Sequence, residues 1–402
     1  VNADSNTGND TVYIAGAHSG ETYIEVDTGG DVWTSAMIGT VLVLMGEEQG
    51  VFSTSQTMTS DLYFYSLYID ERGTTSAENL AAGYSTEVYI SSIVQSATDE
   101  NGRYTAPVQE IASAAGTNYT LWRSLQDTLM HRFGDVHEAL GPDGEHTVWA
   151  RARGARFGAR SGPLDWKTSW SAFEGGLDLA AFRSEHSANY LGAGFAYFDG
   201  DSTYDVGEGD SSGIVLGLYD TYVRDDGQHV DASFKVTHIS TDAKGAGGSG
   251  TLSNTGVTLG AEYGWKIPLG GGWFAEPQAQ VTVGWMDSDT FVNSIGIRTS
   301  VDSATGVWTR AGLRAGWEGR GVQFFAKADW NRDFGGDVDF AMSEGSERLA
   351  LSHDFGTGWL EYGAGLAVRL GDSAQLWLLA DRGHGGSGAP EWSWNAGLRW
   401  SF

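Results

Sequence analysis

The chain has no cysteine among its 402 residues, which removes a disulfide framework, Cys₄ zinc sites and thiol catalysis together. Cations are scarce: 24 Lys and Arg stand against 52 Asp and Glu, a net charge of −28. That field argues against nucleic acid as a partner, because binding it needs clustered cations to displace counterions. Proline is rare (6 residues), while glycine (58) and tryptophan (16) are abundant, a balance that points to an all-β protein. Long hydrophobic runs are missing too. Val41 to Met45 falls far short of the ~20 apolar residues of a spanning helix. One membrane architecture survives that absence, since a transmembrane β-barrel alternates lipid-facing and lumen-facing residues and averages out in any hydropathy window. No signal peptide stands at Val1, so the expectation is a mature chain or the C-terminal part of a longer one.

Three compositions succeed one another. Residues 1–95 hold short alternating runs such as Glu21-Thr22-Tyr23-Ile24-Glu25-Val26 and Glu87-Val88-Tyr89-Ile90, with Arg72 as their one Lys or Arg. Short strands of this kind fit a sandwich or the end of a β-solenoid. Residues 96–117, rich in Ser, Ala, Thr, Asn and Gly and including Pro107, read as a linker. A helix is predicted next, over 118–141. Tyr119, Trp122, Leu125, Leu129, Phe133, Val136 and Leu140 follow spacings of three and four, and Gly141-Pro142 stops the run. Such a stripe needs a sheet, a groove or a tube to cover it.

From 147 to 402 the pattern is strict alternation in runs of about 10–15 residues, the length of tilted membrane-crossing strands. Val307, Thr309, Ala311, Leu313, Ala315 and Trp317 take one face, and Trp308, Arg310, Gly312, Arg314, Gly316 and Glu318 the other. The last run sets Trp392, Trp394, Ala396, Leu398, Trp400 and Phe402 against Ser393, Asn395, Gly397, Arg399 and Ser401. Aromatics gather at the ends of the apolar face, as they do at membrane interfaces. Twelve runs are predicted, near 147–158, 170–183, 189–198, 213–224, 229–242, 252–267, 273–286, 307–318, 322–335, 355–370, 374–386 and 391–402. Tight turns (225–228, 268–272, 319–321, 371–373) alternate with longer connections (199–212, 287–306, 336–354), the asymmetry of an outer-membrane barrel with its long loops outside. An even count puts Phe402 on the short-turn side.

Candidate chemistry is weak by comparison. Gly209-Asp210-Ser211 and Gly371-Asp372-Ser373 suit turn chemistry better than a serine esterase block. Gly383 to Gly388 fits Gly-x-Gly-x-x-Gly, yet no βαβ unit follows it. Asp199, Asp201 and Asp205 lack the spacing of a known calcium loop. His131 and His137 are six apart and fall on different helix faces. Asn118-Tyr119-Thr120 is a formal glycosylation sequon, which would mean nothing if the source is bacterial. No catalytic residue, metal site or cofactor is assigned, and the chain is not read as an enzyme.

Val148-Trp149-Ala150-Arg151-Ala152-Arg153-Gly154, Gly272-Trp273-Phe274-Ala275-Glu276-Pro277-Gln278-Ala279 and the terminal Gly397-Leu398-Arg399-Trp400-Ser401-Phe402 occur in an order that resembles the type Va autotransporters, secretion proteins of Gram-negative bacteria. The resemblance implies a twelve-stranded antiparallel transmembrane β-barrel over 147–402 with the 118–141 helix in its pore, and it likens residues 1–95 to the pertactin-like, autochaperone end of a β-helical passenger. The implied function is to carry that passenger to the cell surface and anchor it in the outer membrane. The alternatives are a porin-like channel, or the anchor of a surface enzyme or adhesin whose active part lies upstream. Implied partners are outer-membrane lipids, the barrel-assembly machinery, periplasmic chaperones and the passenger itself. In such a barrel Leu125, Leu129 and Phe133 would face lumen residues. Those expected in the lumen are Arg151, Arg153, Glu174, Asp178, Glu262, Arg310, Arg314, Glu361 and Arg399. Leu398, Trp400 and Phe402 would form the C-terminal assembly signal. Some relatives cut themselves at an Asn pair in the helix; anchoring on Phe133-Gly134-Asp135 puts Asp127 and Thr128 there instead. The Asn route to cleavage is therefore not expected.

Overall fold

The computed structural model describes residues 3–4, 8–28, 32–47, 50–126, 128–133, 146–161 and 164–402. It divides into two compact units, Val1–Thr105 and Ala106–Phe402.

In the first unit, Val12–Ala17 pairs in parallel with Val41–Glu47, and Gly20–Tyr23 with Gly50–Ser53. Val12 faces Val43 and Gly20 faces Gly50, so each parallel pair joins residues about one 30-residue repeat apart. Val41–Glu47 then pairs antiparallel with Thr86–Ser96, which carries Phe64–Gly73 and Thr57–Thr59 beyond it. Apolar residues of these strands and of the segments between them form a core of Ile24, Val26, Trp33, Leu42, Val43, Met45, Phe52, Leu67, Val88 and Ile90, with Leu42 to Met45 buried in succession. The Gln56 side-chain amide accepts from the Val26 N–H and donates to the Val26 carbonyl, tying one turn of chain to the next.

The second unit is a closed barrel. Its strands are β1 (His146–Ser161), β2 (Leu164–Arg183), β3 (Ser187–Tyr204), β4 (Gly207–Arg224), β5 (Gln228–Gly245) and β6 (Gly248–Trp265). They continue as β7 (Trp273–Met286), β8 (Ala304–Gly319), β9 (Val322–Asp333), β10 (Thr357–Leu370), β11 (Ala374–His384) and β12 (Pro390–Ser401). Each pairs antiparallel with the next, and β12 pairs with β1, so no edge remains open. Among the described residues no helix is long and apolar enough to cross a membrane. The outward face of the strands supplies the apolar surface instead: Phe173, Leu177, Leu191, Phe195, Leu216, Leu218, Leu259, Leu313, Leu366 and Leu378 are all exposed. Tyr263, Trp265, Trp273, Phe324, Trp400 and Phe402 rim that band at the short-turn end, and Trp285, Trp330, Trp392 and Trp394 at the other.

The twelve strands stand where alternation places them, but several run further. The segment 199–212, expected as a loop, is strand: Asp199 pairs with Ser212 and Asp201 with Asp210, leaving a turn at Asp205-Val206. Gly209-Asp210-Ser211 therefore lies within β4 and not in a hairpin loop. Above the apolar band the outward residues are polar, so the hydrophobic half of the alternation vanishes while the ladder continues. The long connections are also structured. Asp289–Val292, Arg298–Val301, Asp337–Glu344 and Glu347–Asp354 form a four-stranded antiparallel sheet at the long-loop end. Its alternate residues Val301, Val338, Phe340 and Met342 are buried.

The helix departs from expectation at both ends. Helix α1 spans Ala106–Ser124 and a one-turn helix α2 spans Leu129–Phe133; the rest of the expected helix, 134–141, lies outside the described residues. Residues 106–117 are thus helical and not linker. Pro107 sits at the helix start, where its missing N–H and fixed φ cost nothing.

Candidate functional site

Helix α1 is covered on every side. Gln109, Glu110, Ser113, Thr117, Asn118 and Arg123 are buried along with Val108, Ile111 and Leu121. Glycines make room for this. A Cβ on Gly116 would stand 2.5 Å from the Trp166 ring, so here the small residue is on the helix and the large one on the wall. Glu110, Asn118, Tyr119 and Arg123 have barrel partners, as burial demands. The Glu110 carboxylate accepts from the Gly247 N–H (3.1 Å). The Asn118 amide donates to Asn254 Oδ1 (2.9 Å) and accepts from the Thr241 hydroxyl (2.5 Å), so this formal sequon is a buried wall contact. The Tyr119 hydroxyl donates to the Gly335 carbonyl (2.7 Å) and lies against the Asp333 carboxylate (3.1 Å). Arg123 pairs with that same carboxylate (3.0 Å), donates to the Gly388 carbonyl (2.7 Å) and lies over the Trp359 ring.

The chain beyond α1 keeps descending. Arg153 donates to the Leu125 carbonyl (3.0 Å), and the Leu129 N–H donates to Glu262 Oε2 (3.0 Å). Leu129 packs with Trp149, Tyr219, Val223, Ala367 and Trp377. The His131 carbonyl accepts from Asn395 Nδ2 (2.9 Å), and Arg132 pairs with Asp231 and lies over the Tyr219 ring. Glu110 meets the Ala246-Gly247 turn at the long-loop end, whereas Asp231 stands three residues past Gln228 at the short-turn end. The chain therefore traverses the lumen from the long-loop end toward the short turns. Wall strand β1 begins at that second end, where the His146 carbonyl accepts from the Phe402 N–H (3.0 Å).

The residues expected to face the lumen are paired there, and all but the partly exposed Glu361 are buried. Glu174 accepts from both Arg151 (2.7 Å) and Arg153 (2.5 Å), and Arg314 pairs with Glu276. Arg399 lies 3.3 Å from Asp178 and donates to the Thr147 hydroxyl (3.0 Å). Arg310 bridges Glu262 (3.1 Å) and Asp329 (3.0 Å). Lys327 gathers Glu361 (2.9 Å), Asp329 (3.2 Å) and Asp381 (3.2 Å) around one ammonium. Leu125 and Leu129 are fully buried. Leu398, Trp400 and Phe402 turn outward from the wall. Thr128 is buried, its carbonyl accepting from the His131 N–H, and Asp127 lies outside the described residues. Beside the break between the helices is a cavity of about 160 Å³, lined by Gln126, Thr128, His131, Arg310, Glu361 and Asp381 among others.

Sequence reasoning did not single out Asp231, Lys327, Asp329, Asp333 or Asp381. A signal for them existed: Lys327 and Asp329 alternate with Ala326 and Ala328 by the same period that separates Arg310 from Thr309 and Ala311. What the lumen offers is a set of fixed, mutually neutralised charges around a helix.

A family model, the autotransporter beta-domain, matches residues 148–381. The chain belongs to the autotransporter family. The pertactin autotransporter of Bordetella parapertussis is 29% identical over 301 residues, which cover 71% of this chain and 32% of the relative. The BrkA autotransporter of Bordetella pertussis is 30% identical over 243 residues, covering 58% of this chain and 24% of BrkA. The chain thus spans about a third or less of these autotransporters. Among solved structures, the beta domain of the Bordetella autotransporter BrkA aligns over its full length and 65% of this chain, with a TM-score of 0.54 and 28% identity. The translocator domain of the autotransporter NalP from Neisseria meningitidis shares the fold, with a TM-score of 0.53 at 17% identity, over 74% of this chain and the whole of that one. Autotransporter β-domains are outer-membrane barrels, and the apolar band with its aromatic rims fits that setting.

Proposed function

We propose that this autotransporter chain carries the end of a passenger through the outer membrane and holds it on the cell surface, with the long-loop end of the barrel facing outward. One observation carries the reading: α1 enters the lumen from the long-loop end, while β1 leaves it at the short-turn end beside Phe402. A chain so placed has crossed the barrel lengthwise. The polar lumen supplies a hydrated path, and the helix left inside closes it once transport is over.

Residues 1–105 are the passenger end in this reading. Parallel pairing at a spacing of about 30 residues supports a last solenoid turn, and the antiparallel strands after it form the cap on which further turns stack. Leu398, Trp400 and Phe402 are the signal read by the barrel-assembly machinery, outward-facing and therefore available before lipid covers them. With no Asn pair at 127–128, the passenger end stays tethered through α1.

Surface proteolysis of intact cells tests the topology. Protease should cut the hairpin 337–354 and spare the turn 320–321, and gels of the outer-membrane fraction from untreated cells should show one uncut chain. Cleavage at 320–321 with 337–354 protected would invert the reading, and a stable fragment beginning near Thr128 would end the tether.

A further inference from the structure

One run of paired residues crosses part of the outside of the barrel through Trp392. Tyr362 on β10 pairs with Arg382 on β11, and Asp381 pairs with Ser393, which sets Arg382 beside Trp392. Trp392 pairs with Arg156 on β1, and Arg156 with Ser169 on β2. The same run goes on through Asp201, Asp210 and Asp242. Along that run the barrel shows guanidiniums on β11 and β1 and carboxylates on β3–β5. One pleat closer to the long-loop end, Gly158 pairs with Lys167.

These cations point outward. Asp381, next to Arg382, is in the lumen on Lys327; buried Ala155 and Phe157 flank Arg156; buried Trp166 and Thr168 flank Lys167. Arg382 and Lys167 are exposed, and neither has an ion pair among the described residues. Arg156 has Glu391 at 3.4 Å, with both side chains close to half exposed. Strand spacing sets Arg382 and Arg156 about 10 Å apart with the Trp392 indole between them. Trp392 and Trp394 are exposed aromatics at the upper rim of the apolar band, the depth at which lipid headgroups begin. At that depth a guanidinium fork matches a phosphate, and the long stems of Arg and Lys reach headgroup level along apolar surface.

In a chain of net charge −28, outward cations at headgroup level are the exception, and an anionic lipid is the partner they suit. We propose that the β11–β12–β1–β2 face binds a phosphorylated glycolipid of the leaflet around the long-loop end. Arg382 and Arg156 grip its phosphate from either side of Trp392, and Lys167 adds charge above. The proposal rests on the membrane placement given under the proposed function, so the test separates the two.

The full chain is reconstituted into phosphatidylcholine vesicles carrying a trace of bis-phosphorylated lipid A, and glycolipid retained through detergent extraction is measured by mass spectrometry. Arg156→Gln/Arg382→Gln should lower retention about thirtyfold, on a scale of about one factor of five per surface cation. Arg156→Lys/Arg382→Lys should recover most of it, and Asp201→Asn/Asp210→Asn should leave it unchanged. Dephosphorylated lipid A should not be retained, and millimolar inorganic phosphate should not displace the lipid. Equal retention of dephosphorylated lipid A, or an unchanged Arg156→Gln/Arg382→Gln variant, would overturn the proposal. Displacement by inorganic phosphate would also overturn it, by reducing the patch to a site for the free anion. In parallel, brominated phosphatidylcholine should quench the outward tryptophans of the wild-type chain. Loss of that quenching overturns the membrane placement as well, whereas quenching without phosphate selectivity overturns the glycolipid site alone.

Discussion

Trp122 and Gly256 meet so closely that a Cβ on the glycine would stand 2.5 Å from the indole Nε1. The neighbouring wall glycine, Gly284, gives 2.6 Å to the other side of the same ring. Helix α1 is held in register by a slot that only two missing side chains provide. Gly256→Ala should therefore strain or unseat the helix at a cost of about 1–3 kcal/mol, the usual range for overpacking. Unfolding temperature and single-channel conductance would register it, the first falling and the second rising. Trp122→Ala added to Gly256→Ala should restore stability toward that of Trp122→Ala alone. Gly217→Ala, whose nearest neighbour atom is 3.7 Å away, should change neither.

Asp333 joins two helix residues one turn apart, Tyr119 and Arg123, to the end of β9. Removing the carboxylate leaves the Arg123 guanidinium buried without its countercharge. Asp333→Ala should cost about 3 kcal/mol, as breaking one side of a buried pair does. Asp333→Leu/Arg123→Met removes both charges and should cost less than the single change. Denaturant unfolding of the detergent-solubilised chain would measure both, and equal losses would mean that the pair is not what holds this end of the helix.

Acid should loosen the first unit at Glu87. The Thr74 hydroxyl donates to its carboxylate and holds it below the ordinary carboxylate range; burial opposes this, and the Arg72 guanidinium at 3.0 Å adds to it. A folded value below the unfolded one contributes stability above the unfolded value and loses it as pH falls through the folded one. Backbone hydrogen exchange across Thr86–Ser96, corrected for intrinsic rates, should speed up below about pH 4.3, the unfolded Glu value. In Glu87→Gln that step should disappear. Exchange that accelerates identically in both chains would assign the acid sensitivity elsewhere.

Phe402 is 68% exposed, with its ring outward and only its N–H bonded into the β1 seam. Deleting it should shift the unfolding temperature of the finished barrel little, because little protein surface is lost. If Leu398, Trp400 and Phe402 are the assembly signal, the same deletion should sharply lower the folded, heat-modifiable species in cells while unassembled chain accumulates. Normal assembly of the deletion variant would remove that role.

The wall was legible because each strand sits between two unlike media. Where lipid meets one face and a polar lumen the other, as in 307–318, alternation is strict and the strand declares itself. Where both faces are wet, as around Asp199 and Asp210, the ladder runs on and the hydrophobic signal stops. The start of α1 was hidden for the converse reason. Inside a tube no face of a helix is exposed, so Gln109, Glu110, Ser113 and Asn118 can be buried on wall partners and need no apolar stripe. The surface sheet shows in the alternation of Val338, Phe340 and Met342, but its strands are short and lie outside the wall, so they do not carry the barrel's longer period. Of the lumen charges, period two picks out the positions; which acid meets which base depends on strand stagger and on the depth of α1, and neither is written locally.

The seam that closes the barrel pairs Thr147 with Ser401, residues 254 positions apart. Bringing such ends together costs on the order of 5 kcal/mol in chain entropy before a single ladder bond repays it. Contacts of that sequence separation form last in an unassisted chain. By the time the seam zips, the segment carrying α1 must already lie within the curling sheet or slide in afterwards along its length. The finished molecule is a ring closed around its own strand, and its two parts can separate only by drawing the strand through the bore or by cutting the chain.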